Sequence, residues 1–103
     1  METDKLTIED IERLSEIYKS FGNVTRLKML LRLQQGQCSA GVLSKATGIS
    51  QSAASHQLKE LKFCRIVKAR KEGLNVFYSL ADAHIVKMLE NGIAHISREA
   101  CDE

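Results

Sequence analysis

Residues 48–62, which read GISQSAASHQLKELK, constrain the fold of this chain more than any other stretch. Ser50 suits the N-cap of a helix, because its hydroxyl can accept a hydrogen bond from a first-turn N–H group. Ala54, Leu58 and Leu61 recur at spacings of four and three, which predicts one buried face. The opposite face carries Gln51, Ser52, Ser55, His56 and Lys59. Short polar side chains near a helix N-terminus suit contact with phosphates and base edges, although ordinary surface helices can also be this polar.

Charge is distributed unevenly along the 103 residues, although the net charge is only +2. Residues 1–18 hold six acidic and two basic side chains, whereas residues 59–72 hold six basic and two acidic ones. A basic centre between acidic ends is a weak indication of a polyanionic partner and is also compatible with plain solubility. The length predicts one domain spanning 1–103.

Targeting signals and cysteine pairs are not evident in the sequence. No signal peptide opens the chain and no apolar run approaches the roughly 20 residues that span a bilayer, so we expect a cytoplasmic protein without a membrane partner. The three cysteines are widely spaced and form no C-x-x-C pair, which favours reduced thiols over a disulfide framework.

Apolar spacing predicts three helices before the stretch described first. The first covers about residues 7–20, with an acidic outer side. The second begins near Asn23 or Val24, ends before Gly36 and forms the centre of the core. The third covers about 39–47 and ends at Gly48. No proline interrupts these segments.

The third helix, the short link at Gly48 and the next helix predict a helix-turn-helix over about 39–64. Two β-branched and aromatic segments follow over about 66–80, around Glu72-Gly73-Leu74, and predict a hairpin with one basic face. A helix-turn-helix followed by such a hairpin is a winged helix. We therefore expect double-stranded DNA as partner, with Arg70 and Lys71 near the tip of the wing contacting the backbone.

A last helix is predicted over about 82–100, with Asp82 as its N-cap. Its apolar positions are Ile85, Met88, Leu89, Ile93 and Ile96. This apolar stripe is too extensive for a terminal helix with one solvent-exposed face, so we expect the helix to pair with its copy in a homodimer.

His84 and His95 are eleven residues apart on that helix, so they point nearly the same way but lie about 16 Å apart. Antiparallel pairing of two such helices would bring His84 of one subunit to His95 of the other, with Asp82 alongside. Two imidazoles and a carboxylate suit Zn²⁺ or a similar divalent ion, with Glu99, four residues after His95, as a fourth ligand. Interface histidines beside a capping aspartate remain the alternative.

The order of these motifs resembles the ArsR/SmtB family of winged-helix repressors. The resemblance rests on FGNVTRLKML at 21–30, GISQSAASHQL at 48–58, Phe77-Tyr78, and Asp82 and His84 with His95. It implies a homodimeric transcriptional repressor and not an enzyme, with a mainly α fold of five helices and a two-stranded wing. It implies release from the operator by a Zn-type metal ion that folding does not require. Arg98 occupies the position of the usual fourth ligand, which is a departure from the family pattern.

The resemblance also implies a second kind of sensor. Cys38 stands where the persulfide-sensing branch has its first reactive cysteine, and Cys101 lies about one turn beyond the position of the second. A thiol switch through Cys38 and Cys101 is therefore one alternative to metal sensing. A constitutive winged-helix repressor without any inducer is the other.

Overall fold

The computed structural model describes residues 5–97, in which five helices and one hairpin follow one another. The helices are α1 (Ile8–Phe21), α2 (Val24–Gln34), α3 (Ala40–Thr47), α4 (Gln51–Phe63) and α5 (Ala83–Ile96). The strands are β1 (Val67–Glu72) and β2 (Asn75–Leu80), which pair antiparallel. The prediction of a mainly α winged helix-turn-helix is confirmed.

Side chains close in sequence determine where the helices begin. The backbone N–H of Asp10 donates to Thr7 Oγ1 over 3.1 Å, and the N–H of Thr7 donates to Asp10 Oδ2 over 3.0 Å, which forms a capping box at α1. Ser50 accepts from the N–H of Ala53 over 3.0 Å at the start of α4. Asp82 accepts from two N–H groups at the start of α5. The predicted caps at Ser50 and Asp82 are therefore confirmed.

Residues with a left-handed backbone conformation follow α3 and α4. Gly48 has φ +78° and donates its N–H to the carbonyl of Ser44 over 2.9 Å, as expected of a helix-terminating glycine. Arg65 adopts φ +61° just after α4, where the N–H of Ile66 donates to the carbonyl of Leu61 over 2.9 Å. A side chain in this conformation costs about 1–2 kcal/mol relative to glycine.

The core lies between α2, α3, α4 and the hairpin, with α5 packed against β2. Leu30 of α2, Leu43 of α3 and Leu58 of α4 are fully buried at its centre. The complete set of buried apolar side chains is Met29, Leu30, Leu33, Cys38, Leu43, Ala54, Leu58, Leu61, Ile66, Val67, Ile85 and Leu89. Because α2 supplies three of them, its predicted place at the centre of the core is confirmed.

The hairpin is longer at its tip than the sequence predicts. Glu72 pairs with Asn75 at the end of the ladder, so Gly73 and Leu74 alone make the turn. Ile66 precedes β1, and its carbonyl accepts from the N–H of Ala81 over 3.0 Å. Cys38, just before α3, exchanges two backbone hydrogen bonds with Tyr78 of β2 (3.1 and 2.8 Å), so the hairpin is attached to the helix-turn-helix.

The terminal helix α5 is shorter than the predicted 82–100. It ends at Ile96, and the next residue, Ser97, has φ −63° and ψ 132°. The N–H of Ser97 donates to the carbonyl of Ala94 over 3.2 Å. Ser97 itself has an extended backbone, and Glu99 as a fourth ligand stays a prediction. Glu99, Arg98 and Cys101 themselves lie outside the described residues.

Candidate nucleic-acid interface

The outer face of α4 is the polar surface that the sequence predicts. Its inner face is fixed by the full burial of Ala54, Leu58 and Leu61. All five candidate contact residues on the opposite side are exposed: Gln51, Ser52, Ser55, His56 and Lys59. Because α3 and the Gly48 turn hold α4 across the surface, this face can enter a groove of the width that admits a helix.

The wing carries a cation in a defined position. Arg70 lies opposite Phe77 in the β ladder, and its guanidinium carbon is 5.2 Å from the centre of that ring. Arg70 Nη1 also donates to Glu72 Oε2 over 2.8 Å. Lys71 is exposed next to it. The wing therefore offers one oriented guanidinium and one mobile ammonium to a phosphate backbone.

A polar cluster beneath α4 was missed in the sequence. Arg26 of α2 pairs with Glu60 of α4, and its Nε donates to Gln57 Oε1 over 3.3 Å. Its Nη1 donates to the Oγ of Ser20, the buried serine of α1, over 3.4 Å. The available signal was that Arg26 shares a helix face with the buried leucines four and seven residues later, where a cation requires a partner. We call Arg26, Ser20, Gln57 and Glu60 the Arg26 cluster.

The predicted metal ligands lie at the two ends of α5. His84 Nδ1 is 3.4 Å from Asp82 Oδ1, and the His84 side chain is 91% exposed. The hydrogen bond from the N–H of Ile85, together with the nearby His84, holds the pKa of Asp82 below its usual range, so this carboxylate is ionised at neutral pH. His95 is exposed near the other end. Within residues 5–97 of a single chain, no three His, Cys, Asp or Glu side chains gather to hold a metal ion.

The cysteine of the predicted thiol switch occupies an unreactive environment. Cys38 is only 5% exposed, and burial raises the pKa of its thiol, while Arg32 opposes this shift more weakly. A raised pKa reduces the thiolate fraction at neutral pH and with it the rate of oxidation or alkylation. Cys64 is half-buried, and the hydroxyl of Ser20 donates to its Sγ over 4.0 Å.

An apolar surface extends along α1 and the end of α5. Ile8 is 62% exposed and Ile96 is 74% exposed, with Ile11, Leu14 and Ile93 about half exposed. An adjacent groove of about 520 Å³ between α1, α2 and α5 has Phe21, Leu31 and Met88 among its lining residues. Apolar exposure of this extent on a small domain marks an interface.

Comparison with known proteins agrees with this arrangement. The family model described as "Bacterial regulatory protein, arsR family" matches residues 23–69, which run from the N-cap of α2 into β1. The NMR structure of a cadmium metal-sensor, CmtR from Mycobacterium tuberculosis, is 32% identical with a TM-score of 0.65, over 75% of this chain and 80% of that one. The chain belongs to the arsR family of bacterial regulatory proteins.

Two further relatives support the arsR assignment. The transcriptional repressor SmtB homolog of Synechocystis is 29% identical over 93% of this chain and 73% of its own length. A homodimeric winged helix-turn-helix DNA-binding domain from Mycobacterium bovis, Mb0332, superimposes with a TM-score of 0.77 at 28% identity, covering 81% of this chain and 77% of that chain. The predicted resemblance to the ArsR/SmtB family is confirmed.

Family membership supports double-stranded DNA and a second copy of the chain as the expected partners of this arsR protein. Its relatives are transcriptional regulators, in keeping with the prediction of a regulator and not an enzyme. Among residues 5–97, no helix has both the length and the apolar character to cross a bilayer.

Proposed function

We propose that this chain is a homodimeric transcriptional repressor that binds operator DNA through α4 and the wing. We further propose that a Zn-type divalent metal ion, held between the α5 helices of the two subunits, releases it. A repressor of this kind works in the cytoplasm, where bacterial DNA lies. The observation that carries the proposal is the exposed polar face of α4 together with the oriented cation of the wing.

DNA binding is supported by the different chemical groups that α4 and the wing present. Ser52, Ser55 and His56 offer short donors and acceptors that can reach base edges or phosphates without a long flexible stem. Arg70 and Lys71 carry the charge that a phosphate backbone attracts. In a two-fold dimer the second copy presents the same set, which favours an operator with two related half-sites.

Dimerisation is supported by the exposed apolar face of α1 and α5. Ile93 and Ile96 point away from the core of their own chain, as their exposure shows. Burying such side chains against a second copy stabilises the dimer by about 25 cal/mol per Å² of apolar area. The similarity to the homodimeric Mb0332 domain favours the same mode of association here.

The metal site is supported by the chemistry of the ligands at the start of α5. Asp82 uses Oδ1 to accept from the N–H groups of His84 and Ile85, which leaves Oδ2 for a cation. The neighbouring His84 imidazole is exposed and can turn toward the same point. His95 of the partner subunit would complete a carboxylate and two imidazoles, a set that suits Zn²⁺. Glu99 as fourth ligand stays a prediction.

Metal release is favoured over the two alternatives by different observations. The thiol switch requires a reactive Cys38, whereas that thiol is buried and its pKa is raised. A constitutive repressor would need Asp82 as the N-cap of α5, but it gives the exposed His84 imidazole beside this carboxylate no role. The cadmium metal-sensor CmtR, to which the chain is similar, supports a metal effector in general.

The DNA part is tested with a duplex selected from a random library by the wild-type protein. We expect Ser55→Ala and His56→Ala to weaken binding of that duplex by about 5- to 100-fold each, as expected for lost base contacts. Ser15→Ala, at an exposed serine of α1, is the matched control and should bind normally. If no duplex is enriched, or if the α4 variants bind like the control, the proposed DNA surface is wrong.

The metal part is tested by titrating Zn²⁺ into the complex of wild-type protein and selected duplex, with fluorescence anisotropy as the readout. We expect Zn²⁺ to weaken DNA binding by about 5- to 150-fold, the usual range of allosteric coupling. The double variant His84→Ala and His95→Ala should abolish that effect, whereas Glu90→Gln, an exposed carboxylate on the same helix, should retain it. Release by Zn²⁺ that survives the double histidine change contradicts the assignment.

A further inference from the structure

Glu60 is an unfavourable residue for a helix that faces DNA. It is the single carboxylate of α4, and its side chain is 48% exposed. It lies one helical turn beyond His56 and next to Lys59, two of the candidate DNA contacts. A carboxylate near phosphates repels them, which opposes binding unless another group compensates its charge.

Arg26 compensates this charge from below. Its guanidinium pairs with Glu60 Oε1, while Nε donates to Gln57 Oε1 over 3.3 Å. The Arg26 side chain is only 19% exposed, so the pair is better shielded from solvent than an ordinary surface salt bridge. One oxygen of the carboxylate is thereby held against α2.

The same guanidinium contacts α4 at two positions, which adds a polar restraint to the apolar packing that fixes the rotation of this helix. Gln57 and Glu60 are three residues apart and lie on one face of the helix, and the planar fork of Arg26 reaches both. A third bond, from Nη1 to Ser20 Oγ over 3.4 Å, anchors the guanidinium on α1. Rotation of α4 would break these bonds together.

Glu60 also contacts a residue on the outer face of α4. Its second oxygen, Oε2, lies 3.3 Å from His56 Nε2. One carboxylate oxygen therefore pairs with Arg26 and the other with the imidazole of a candidate DNA contact. This contact holds the Nε2 edge of the His56 ring beside Glu60 before DNA arrives.

We propose that Arg26 is a positioning residue for DNA recognition, which neutralises Glu60, reinforces the rotational position of α4 and, through Glu60, orients His56. The inference rests on the proposed DNA-binding function. We expect Arg26 to make no contact with DNA itself. It acts from α2 through the Arg26 cluster.

The test is a double-mutant cycle with the duplex selected by the wild-type protein. Arg26→Gln should weaken binding about tenfold or more, because it leaves a charged group on the DNA face without its partner. Glu60→Gln alone should change binding by less than about threefold, since it removes the repulsive charge while the amide oxygen can still accept from His56. The variant carrying both changes should bind more tightly than Arg26→Gln alone.

This rescue separates charge neutralisation from the other roles that Arg26 could have. A purely structural role predicts that the double variant binds no better than Arg26→Gln, and that result overturns the inference. Direct phosphate contact predicts a smaller salt slope in Arg26→Gln and no rescue, which overturns it as well. Lys28→Gln, an exposed cation on the same helix, is the matched control for charge and should not be rescued by Glu60→Gln.

As controls, thermal unfolding checks that every variant is folded, and sedimentation checks that it has the mass of a dimer. Arg26→Lys, which keeps the charge and loses the fork, provides the second line of evidence if Arg26→Gln does not fold. The DNA affinity of Arg26→Lys should lie between those of the wild type and Arg26→Gln, and Glu60→Gln should restore less of it. If Arg26→Lys binds DNA like the wild type and shows no coupling to Glu60→Gln, the planar guanidinium is not required. If the wild-type protein enriches no duplex, the proposed function fails and the inference fails with it. Binding by the wild type without coupling between Arg26 and Glu60 overturns the inference alone.

Discussion

Replacing Gly48 by alanine tests the geometry of the turn before α4. Gly48 has φ +78°, and a Cβ built there would meet no atom within 4 Å. The cost is therefore purely conformational, about 1–2 kcal/mol for an alanine in the left-handed region. For a domain of 60–100 residues each kcal/mol lowers the melting temperature by about 4–8 °C. We expect Gly48→Ala to melt at least about 4 °C below wild type in calorimetry.

The matched control is the same change at Gly22, which ends α1. Gly22 has φ −82°, and an added Cβ would lie 3.5 Å from the nearest carbonyl oxygens, an ordinary contact. Gly22→Ala should therefore stabilise the protein slightly, by about 0.4–1 kcal/mol, through the unfolded chain. Melting is compared at one protein concentration, because a dimer's stability depends on it. If Gly48→Ala is as stable as wild type, or both changes shift melting in the same direction, the argument from φ is refuted.

Four further outcomes are expected. Leu58→Ala, at a fully buried position of α4, should lower the free energy of unfolding by about 2–5 kcal/mol in urea titrations, and a loss below 1 kcal/mol would contradict its place in the core. Arg70→Gln should reduce the dependence of DNA affinity on salt by about one unit of slope, whereas an unchanged slope would remove it from the interface. Because the pKa of Asp82 is lowered in the folded chain, its charge stabilises the fold above about pH 4 and this contribution is lost as the pH falls further, so Asp82→Asn should flatten the acid limb of stability measured between pH 2 and 6. Cys38, buried and with a raised pKa, should react with a thiol reagent only after denaturation, and rapid labelling of the native protein at this residue by mass spectrometry would revive the thiol switch.

Features with a local cause were predictable from the sequence. Ser50 and Asp82 cap their helices through hydrogen bonds that span two or three residues, and Gly48 terminates α3 through its own backbone freedom. The helix-turn-helix and the wing followed from such signals together with the apolar spacing of α2 and α4. The exposure of the five candidate contacts on α4 was predictable because burial of Leu58 and Leu61 fixes which face is left outside.

Features that depend on the meeting of distant segments were not predictable. Arg26 and Glu60 are 34 residues apart, and their pairing follows from the approach of α2 to α4 in the folded core. The end of α5 at Ile96 carries no glycine or proline signal, so the apolar pattern suggested a longer helix. A metal site shared by two subunits depends on the packing of one chain against another, which spacing along one chain does not determine.

The backbone bonds between Cys38 and Tyr78 have a consequence for how DNA of different shapes is read. They join the start of the helix-turn-helix to the second strand of the wing, so a movement of the wing relative to α3 would break two backbone hydrogen bonds. We therefore expect the spacing between the wing and α4 to change little when the width of the groove changes. Adjustment to a bent or overtwisted operator would then come from rotation of one whole subunit against the other. An effector that limits this rotation would control binding without altering the spacing within a subunit.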